Sequence, residues 1–520
     1  MSIKVKIFNT ALIAVLISVQ LTQVFAQSAK PVIITDKAEL EKLKMAVEAN
    51  PDSLNKHMAY IKAMGLQEYP KPVENPELVP QYTVWMKKYP KSAIVPYALG
   101  KAYLGMESPK AKPYLLKALE INPKYAEAWF GLWEDAQRWG EFRAGLDYLA
   151  KAVAADPENA DYAFYYADAD VFRTDKIKHT EMILALAKRF PNSERGAQGL
   201  YWLATRSTSD QDKIKYYDLL RTSYSPAKFN WSASGMEGYY SVLLRTDPEK
   251  AVAFATDMEK NVKEKDAKMW ANQGTKAQAI TDVKKLMAQN KSDEALAILN
   301  KIKLTKYDSF KKNMVLLKAQ AIDGTGNAKA AYDSVMIAFV KAPTLSFQKA
   351  LYAYGAKMGE SSAQVKGDIL KNMDAGAAPA TPFALKKYFT EGSTSLADYK
   401  GKVVLLTYWF PGCGPCRGEF PHFENVVKQY KNKPFEYVGI NIVSTQNEYV
   451  LPFMKQSGYS FTPLEDFDRR VKGNLDNKGA APMNFLIDQN GRLIFSNFRI
   501  SDDNEDDLKL MIDLLLGSQA

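Results

Sequence analysis

Cysteine is nearly absent: the 520 residues hold two, Cys413 and Cys416. A bond between them would close a very short loop and remove little entropy from the unfolded chain, so no disulfide scaffold supports this fold. Histidine is almost as scarce. His57, His179 and His422 lie in separate segments, which argues against a histidine-rich metal site or a Ser/His/Asp hydrolase, and neither a metal nor another cofactor is expected. Long apolar runs are missing too, because the best of them, Ala11 to Val19, is broken by Ser18 and falls well short of the ~20 residues a spanning helix needs. There are no Lys/Arg blocks. The excess of 69 Lys and Arg over 59 Asp and Glu is spread thinly, so nucleic acid is not expected as a partner.

What is present begins with an export pattern over residues 1–26. Lys4 and Lys6 make a basic head, the short apolar run follows, and Val24-Phe25-Ala26 offers small residues for cleavage after Ala26. No cysteine follows that point, so lipid attachment there is not expected. The remaining length, at roughly one domain per 150 residues, suggests about three domains.

Residues 27–372 read as helix, rich in Ala, Leu, Lys and Tyr with apolar residues three and four apart. Pro90, Pro123, Pro157 and Pro191 recur at intervals of 33, 34 and 34 residues, each positioned to stop a helix. Between them Leu99, Gly100 and Tyr103 precede Ala111, Leu115 and Ala118, and Trp129 and Leu132 precede Leu149 and Ala152. The pattern resembles the tetratricopeptide repeat from about Gln81 to Pro191, departing from it at Ala136 and Gly145. Beyond Pro191 the period is no longer countable, and degenerate helix pairs or another all-helical packing both remain open. Stacked helix pairs form a curved solenoid whose concave face suits a protein partner; a mere spacer or dimerising scaffold is the competing expectation. Residues 373–382, rich in Ala, Gly and Pro, read as a linker to a domain over 383–520. Charge divides there as well: 16 basic and 17 acidic residues from position 376 onward, against 53 and 42 before it.

The chemistry is concentrated after that division. Lys402 to Tyr408 is an apolar, β-rich run fit for a strand buried on both faces. Trp409-Phe410-Pro411-Gly412 then turns the chain into Cys413-Gly-Pro-Cys416 and a helix starting at Arg417. A cysteine at a helix N-terminus faces unpaired N–H groups and the positive dipole end, which favour thiolate over thiol. Cys413 is therefore the expected nucleophile, with Cys416, one turn in and more shielded, as its partner in a redox disulfide. Haem attachment would need His where Arg417 stands, zinc would need further ligands, and a peroxidatic cysteine would need Thr where Phe410 stands.

With Ser395 to Val404 before the motif, Glu419 and Pro421 in the helix after it, and Ala481-Pro482-Met483-Asn484-Phe485 and Gly491-Arg492 later, the segment from about 379 to 520 resembles the TlpA/ResA-type thiol-disulfide oxidoreductases of the thioredoxin superfamily. The resemblance implies an α/β thioredoxin-like domain with a central mixed sheet, fused to the all-α repeat solenoid. It implies a cis bond before Pro482, and a substrate surface at Trp409, Gly412, Ala481 and Pro482. Thr407 stands where thioredoxin itself has a buried Asp, and Gly412 where the family often has Trp. Glu419, three residues past Cys416, is then the candidate base for the second thiol. The implied activity is reduction of disulfides in partner proteins, in the periplasm, with electrons supplied by a membrane-embedded thiol reductant; the oxidase and isomerase directions remain open. The competing expectation is a non-enzymatic repeat scaffold whose redox pair is vestigial or senses compartment state.

Overall fold

A computed structural model describes residues 36–66, 74–169, 175–305 and 308–517; the expected export segment lies outside them. Up to Gly376 the described residues are helical. Each of the four periodic prolines stands two residues beyond a helix end, after Leu78–Lys88, Ala111–Ile121, Phe142–Ala155 and Lys176–Arg189, where its missing N–H and fixed φ end the helix. The two helices between successive stops pair as hairpins, Ile94–Gly105 with Ala111–Ile121 and Ala126–Trp139 with Phe142–Ala155. Close approach decides which residues are small. A Cβ on Gly100 would come within 3.0 Å of the Leu115 side chain, and Ala136 and Gly145, the two departures from the repeat pattern, face each other across the second hairpin.

The hairpins continue past Pro191 to the end of the region, as in Asn230–Thr246 with Pro248–Asn261 and Lys311–Gly324 with Ala328–Phe339. The period is lost in the sequence because the helix Glu264–Ala288 runs for 25 residues, which no 34-residue unit can hold together with its partner. No helix among the described residues is long and apolar enough to cross a membrane.

The C-terminal domain is built on one sheet with strands β1 Ala378–Pro379, β2 Ala384–Lys387, β3 Ser393–Ser395, β4 Val403–Trp409, β5 Phe435–Asn441, β6 Thr462–Glu465, β7 Met483–Ile487 and β8 Arg492–Phe498, ordered β1-β8-β7-β4-β5-β6-β2-β3. The pairs β4–β5 and β5–β6 are parallel and the others antiparallel, so the sheet is mixed, as expected. Every residue of β4 is buried. Its Val403, Leu405 and Trp409 join the core beneath the helices Gly414–Val427 and Glu505–Leu516, while Val404, Leu406 and Tyr408 join a second core with Phe383, Leu385 and Leu475. A central strand covered on both faces reads as an unbroken apolar run.

The stretch 373–382, expected as a linker, is not one. The helix Ser362–Gly376 runs through its first residues and buries Met373, and Ala378–Pro379 adds to the sheet edge as β1. Ala and Gly look like linker by composition, but a buried Met373 and a paired backbone tie this stretch down. One apolar core crosses the boundary, holding Phe347, Leu351, Ile369 and Met373 together with Val403, Leu405, Leu508 and Ile512. The charge division reappears in ion pairs between the regions: Lys213 to Asp503 at 2.7 Å and Lys312 to Asp507 at 3.8 Å. Asp507 also accepts the backbone N–H of Leu345 at 2.9 Å. The acidic run at 502–507 thus leads into the last helix, Glu505–Leu516, and also anchors it to the repeats.

Candidate redox site

β4 delivers the chain to the site, and the turn at Pro411-Gly412 leads into the helix Gly414–Val427, with Cys413 as its N-cap. Cys413 and Cys416 form a disulfide, and the Cys416 N–H points at Cys413 Sγ from 3.2 Å. This backbone donor and the positive end of the helix would stabilise a thiolate on Cys413 once the bond is reduced. Both cysteines are buried, Cys413 at 3% exposure and Cys416 fully, so position at the helix cap, not exposure, marks Cys413 as the attacking sulfur.

The expected substrate residues divide. Trp409 is fully buried, with its ring packed against Phe461 at 4.9 Å, Phe453 at 5.2 Å and Phe420 at 5.6 Å, so it is a core residue and cannot touch a substrate. The alternation of β4 explains this: Trp409 shares the helix-covered face with Val403 and Leu405. Gly412 lies in the turn before Cys413, and its N–H donates to Gln446 Oε1 at 2.5 Å. The Ala481–Pro482 bond is cis. Tyr408 pairs with Met483, so Pro482 comes next at the end of β4, where the cysteine motif begins.

Glu419 is buried beside this end of the sheet. Asn484 Nδ2 donates to its Oε2 at 2.9 Å, and Arg499 lies 3.5 Å from Oε1. Burial pushes the Glu419 carboxyl above the usual range, while the Asn484 hydrogen bond and the Arg499 charge pull it back. Asn484 in turn accepts from Thr407 Oγ1 at 2.7 Å and gives a second bond to the Phe498 carbonyl at 3.0 Å. The strand position that lacks the expected Asp therefore feeds a buried chain, Thr407 to Asn484 to Glu419, ending in a carboxyl one turn beyond Cys416. Such a group holds its proton to higher pH than an ordinary glutamate and can exchange it without leaving the core.

Asn484, Arg499 and Gln446 were not singled out from the sequence. Asn484 carried one signal, a lone amide inside the apolar run Met483 to Ile487, which a buried strand accepts only with partners. Gln446 carried none. The histidines make ordinary contacts: His57 with Tyr82 and the Pro51 carbonyl, His179 with Asp168, and His422 with Glu505.

A mixed sheet whose central strand runs into a Cys-Gly-Pro-Cys disulfide heading a helix, with a cis proline opening the neighbouring strand, defines a thioredoxin-like domain. The family model described as Redoxin matches residues 375–511. Thiol-disulfide oxidoreductase ResA of Bacillus subtilis (strain 168) is 33% identical over 126 residues, 22% of this chain and 69% of that protein. The ResA of Geobacillus kaustophilus (strain HTA426) is 34% identical over 98 residues, 19% of this chain and 55% of that protein. A crystal structure of a thiol:disulfide interchange protein of the thioredoxin family from Chlorobium tepidum TLS is 25% identical, covering 27% of this chain and 97% of that one at a TM-score of 0.24. Through its C-terminal domain the chain belongs to the ResA-type thiol-disulfide oxidoreductases. It spans 55% and 69% of the length of the two curated relatives.

Proposed function

We propose that this protein is exported and reduces disulfides in partner proteins through a mixed-disulfide cycle at Cys413 and Cys416. The observation that carries the reading is the disulfide at the helix N-terminus with a buried carboxyl, Glu419, one turn beyond it. The Cys413 thiolate attacks a substrate disulfide, forms a new S–S bond and releases one substrate sulfur as thiolate. Glu419 accepts the Cys416 proton, directly or through a water, and the Cys416 sulfur attacks Cys413. That step frees the second substrate thiol and leaves Cys413–Cys416 oxidised, so two electrons have passed to the substrate. An upstream thiol reductant, membrane-embedded by analogy with the expected compartment, returns them. Gly-Pro between the cysteines supports the reducing direction, since thioredoxin with that dipeptide lies near −270 mV, against about −120 mV for an oxidant such as DsbA. The backbone beside Pro482 and the turn at Gly412 receive the substrate, and the repeats bind or position it.

The test is to trap the intermediate. Full-length Cys416→Ser, kept reduced and mixed with a disulfide-bonded peptide, should accumulate a covalent peptide adduct that mass spectrometry places on Cys413. Absence of an adduct in the folded protein would sink the reading.

A further inference from the structure

The family often carries Trp immediately before its first cysteine, whereas this chain has Gly412, and the structure shows what fills the space. A Cβ on Gly412 would lie 2.8 and 2.9 Å from the amide of Gln446 and 3.0 Å from Glu107 Oε2. Gln446 is fully buried in the turn before the helix Asn447–Ser457. Glu107 comes from the opposite end of the chain, in the short connection between the repeat helices Ile94–Gly105 and Ala111–Ile121.

A line of hydrogen bonds joins these groups. Arg138 Nη2 donates to Glu107 Oε1 at 3.4 Å, Gln446 Nε2 donates to Glu107 Oε2, and the Gly412 N–H donates to Gln446 Oε1 at 2.5 Å. The Glu107 backbone holds a left-handed φ of 51°, which a residue with a Cβ adopts at a cost. Behind this line the regions are fastened. Tyr449 OH donates to buried Asp135 at 2.7 Å, Trp139 packs edge-on against Tyr449 at 4.7 Å, and the Phe142 and Phe453 rings meet at 6.1 Å. The repeat connection is thus held against the residue that precedes the nucleophile, and Cys413 keeps only 3% of its surface.

We propose that Glu107, a residue of the repeat region, is a specificity determinant of the redox centre: held against Gly412 through Gln446, it admits to Cys413 a disulfide borne on a narrow extended segment and turns away broad folded surfaces. The inference deepens the exchange reading above and rests on it. Specificity of this kind is obtained by excluding the wrong partner as much as by attracting the right one.

The test compares two substrates on the reduced full-length protein, a short disulfide-bonded peptide and folded insulin. Glu107→Gly removes the side chain and suits a positive φ, so it preserves the fold. It should raise the insulin rate relative to the peptide rate about fivefold or more, while Glu107→Gln, which keeps an acceptor for Gln446, should return the ratio to within about twofold of wild type. An unchanged ratio in the glycine variant overturns the proposal. So does a glutamine variant that behaves like the glycine one, because charge and not occupancy would then be responsible. A second readout does not depend on turnover. In a Cys416→Ser background, Glu107→Gly should speed labelling of Cys413 by a polyethylene-glycol maleimide more than labelling by iodoacetamide; equal acceleration of the two reagents overturns the proposal. If the labelling ratio shifts but wild type exchanges with neither substrate, the cover stands and the exchange reading falls.

Discussion

The repeat region and the thioredoxin-like domain bury polar groups very differently. Among the described residues each region holds ten buried polar or charged side chains, but the second has less than half the length of the first. In the repeats such groups are scattered: some fasten one helix to the next, as His179 does with Asp168, and others bond within their own helix, as Thr281 does to the Ala277 carbonyl. In the C-terminal domain Thr407, Asn484 and Glu419 are linked in one line aimed at the cysteine helix. A buried carboxyl is costly to keep, so a domain that retains one next to a disulfide marks where its chemistry lies. The exception in the repeats teaches the same lesson, because buried Asp135 sits where the two regions meet, accepting from Tyr449 across the boundary.

That contrast can be broken at Glu419 with the largest expected effect. Glu419→Gln should slow resolution of the mixed disulfide by about a hundredfold while leaving its formation little changed, the range expected of a positioned base. Stopped-flow measurement of the two steps separates them, and equal slowing would make Glu419 structural. The pH dependence follows from the direction of its shift. Because the carboxyl titrates above the usual carboxylate range, the resolution rate in wild type should fall as pH drops through that raised value, earlier than an ordinary glutamate near ~4.3 would impose. The glutamine variant should lose this limb.

A smaller effect is expected at the boundary. Tyr449→Phe removes the hydrogen bond that does most to offset the burial of Asp135, and should cost about 1–3 kcal/mol in denaturant unfolding. The cost should be greater at neutral pH than in acid below the Asp135 value, which burial raises, because the protonated carboxyl needs the donor less. The smallest effect belongs to the Lys213–Asp503 ion pair between the regions, whose acid is exposed and whose lysine is largely covered. Lys213→Ala should change stability by no more than about 1 kcal/mol, and by less at high salt. A large loss there would mean that the regions are held by charge and not by their shared apolar core.

Much of the redox domain was legible in the sequence because its signals are local. The apolar run of β4, the turn, the cysteine pair and the segment at Pro482 each declare themselves within a few residues. What was missed joins distant positions. Thr407 stood out as the lack of an acid, but its partner Asn484 is 77 residues away, and Gln446 meets Glu107 across 339 residues. Trp409 was misplaced because a tryptophan near an active site suits a core and a substrate surface equally well; only the alternation of the folded strand decides. The linker failed for a related reason, since Ala-Gly composition does not reveal that Met373 has a core to enter.

That shared core has a consequence for the order in which the protein is made. Synthesis runs from the N-terminus, so the helices Leu345–Lys357 and Ser362–Gly376 emerge long before Glu505–Leu516, against which the first of them packs. Until the final helix arrives, Leu351, Ile369 and Met373 lack the Leu508 and Ile512 side of their cluster, and the newborn chain carries an apolar patch at the growing end of an otherwise folded array. A ribosome stalled anywhere in the redox domain would therefore hold a product whose last repeat is sticky and open to proteases, while the earlier hairpins are already closed. Arrival of the helix Glu505–Leu516 seals both regions at once.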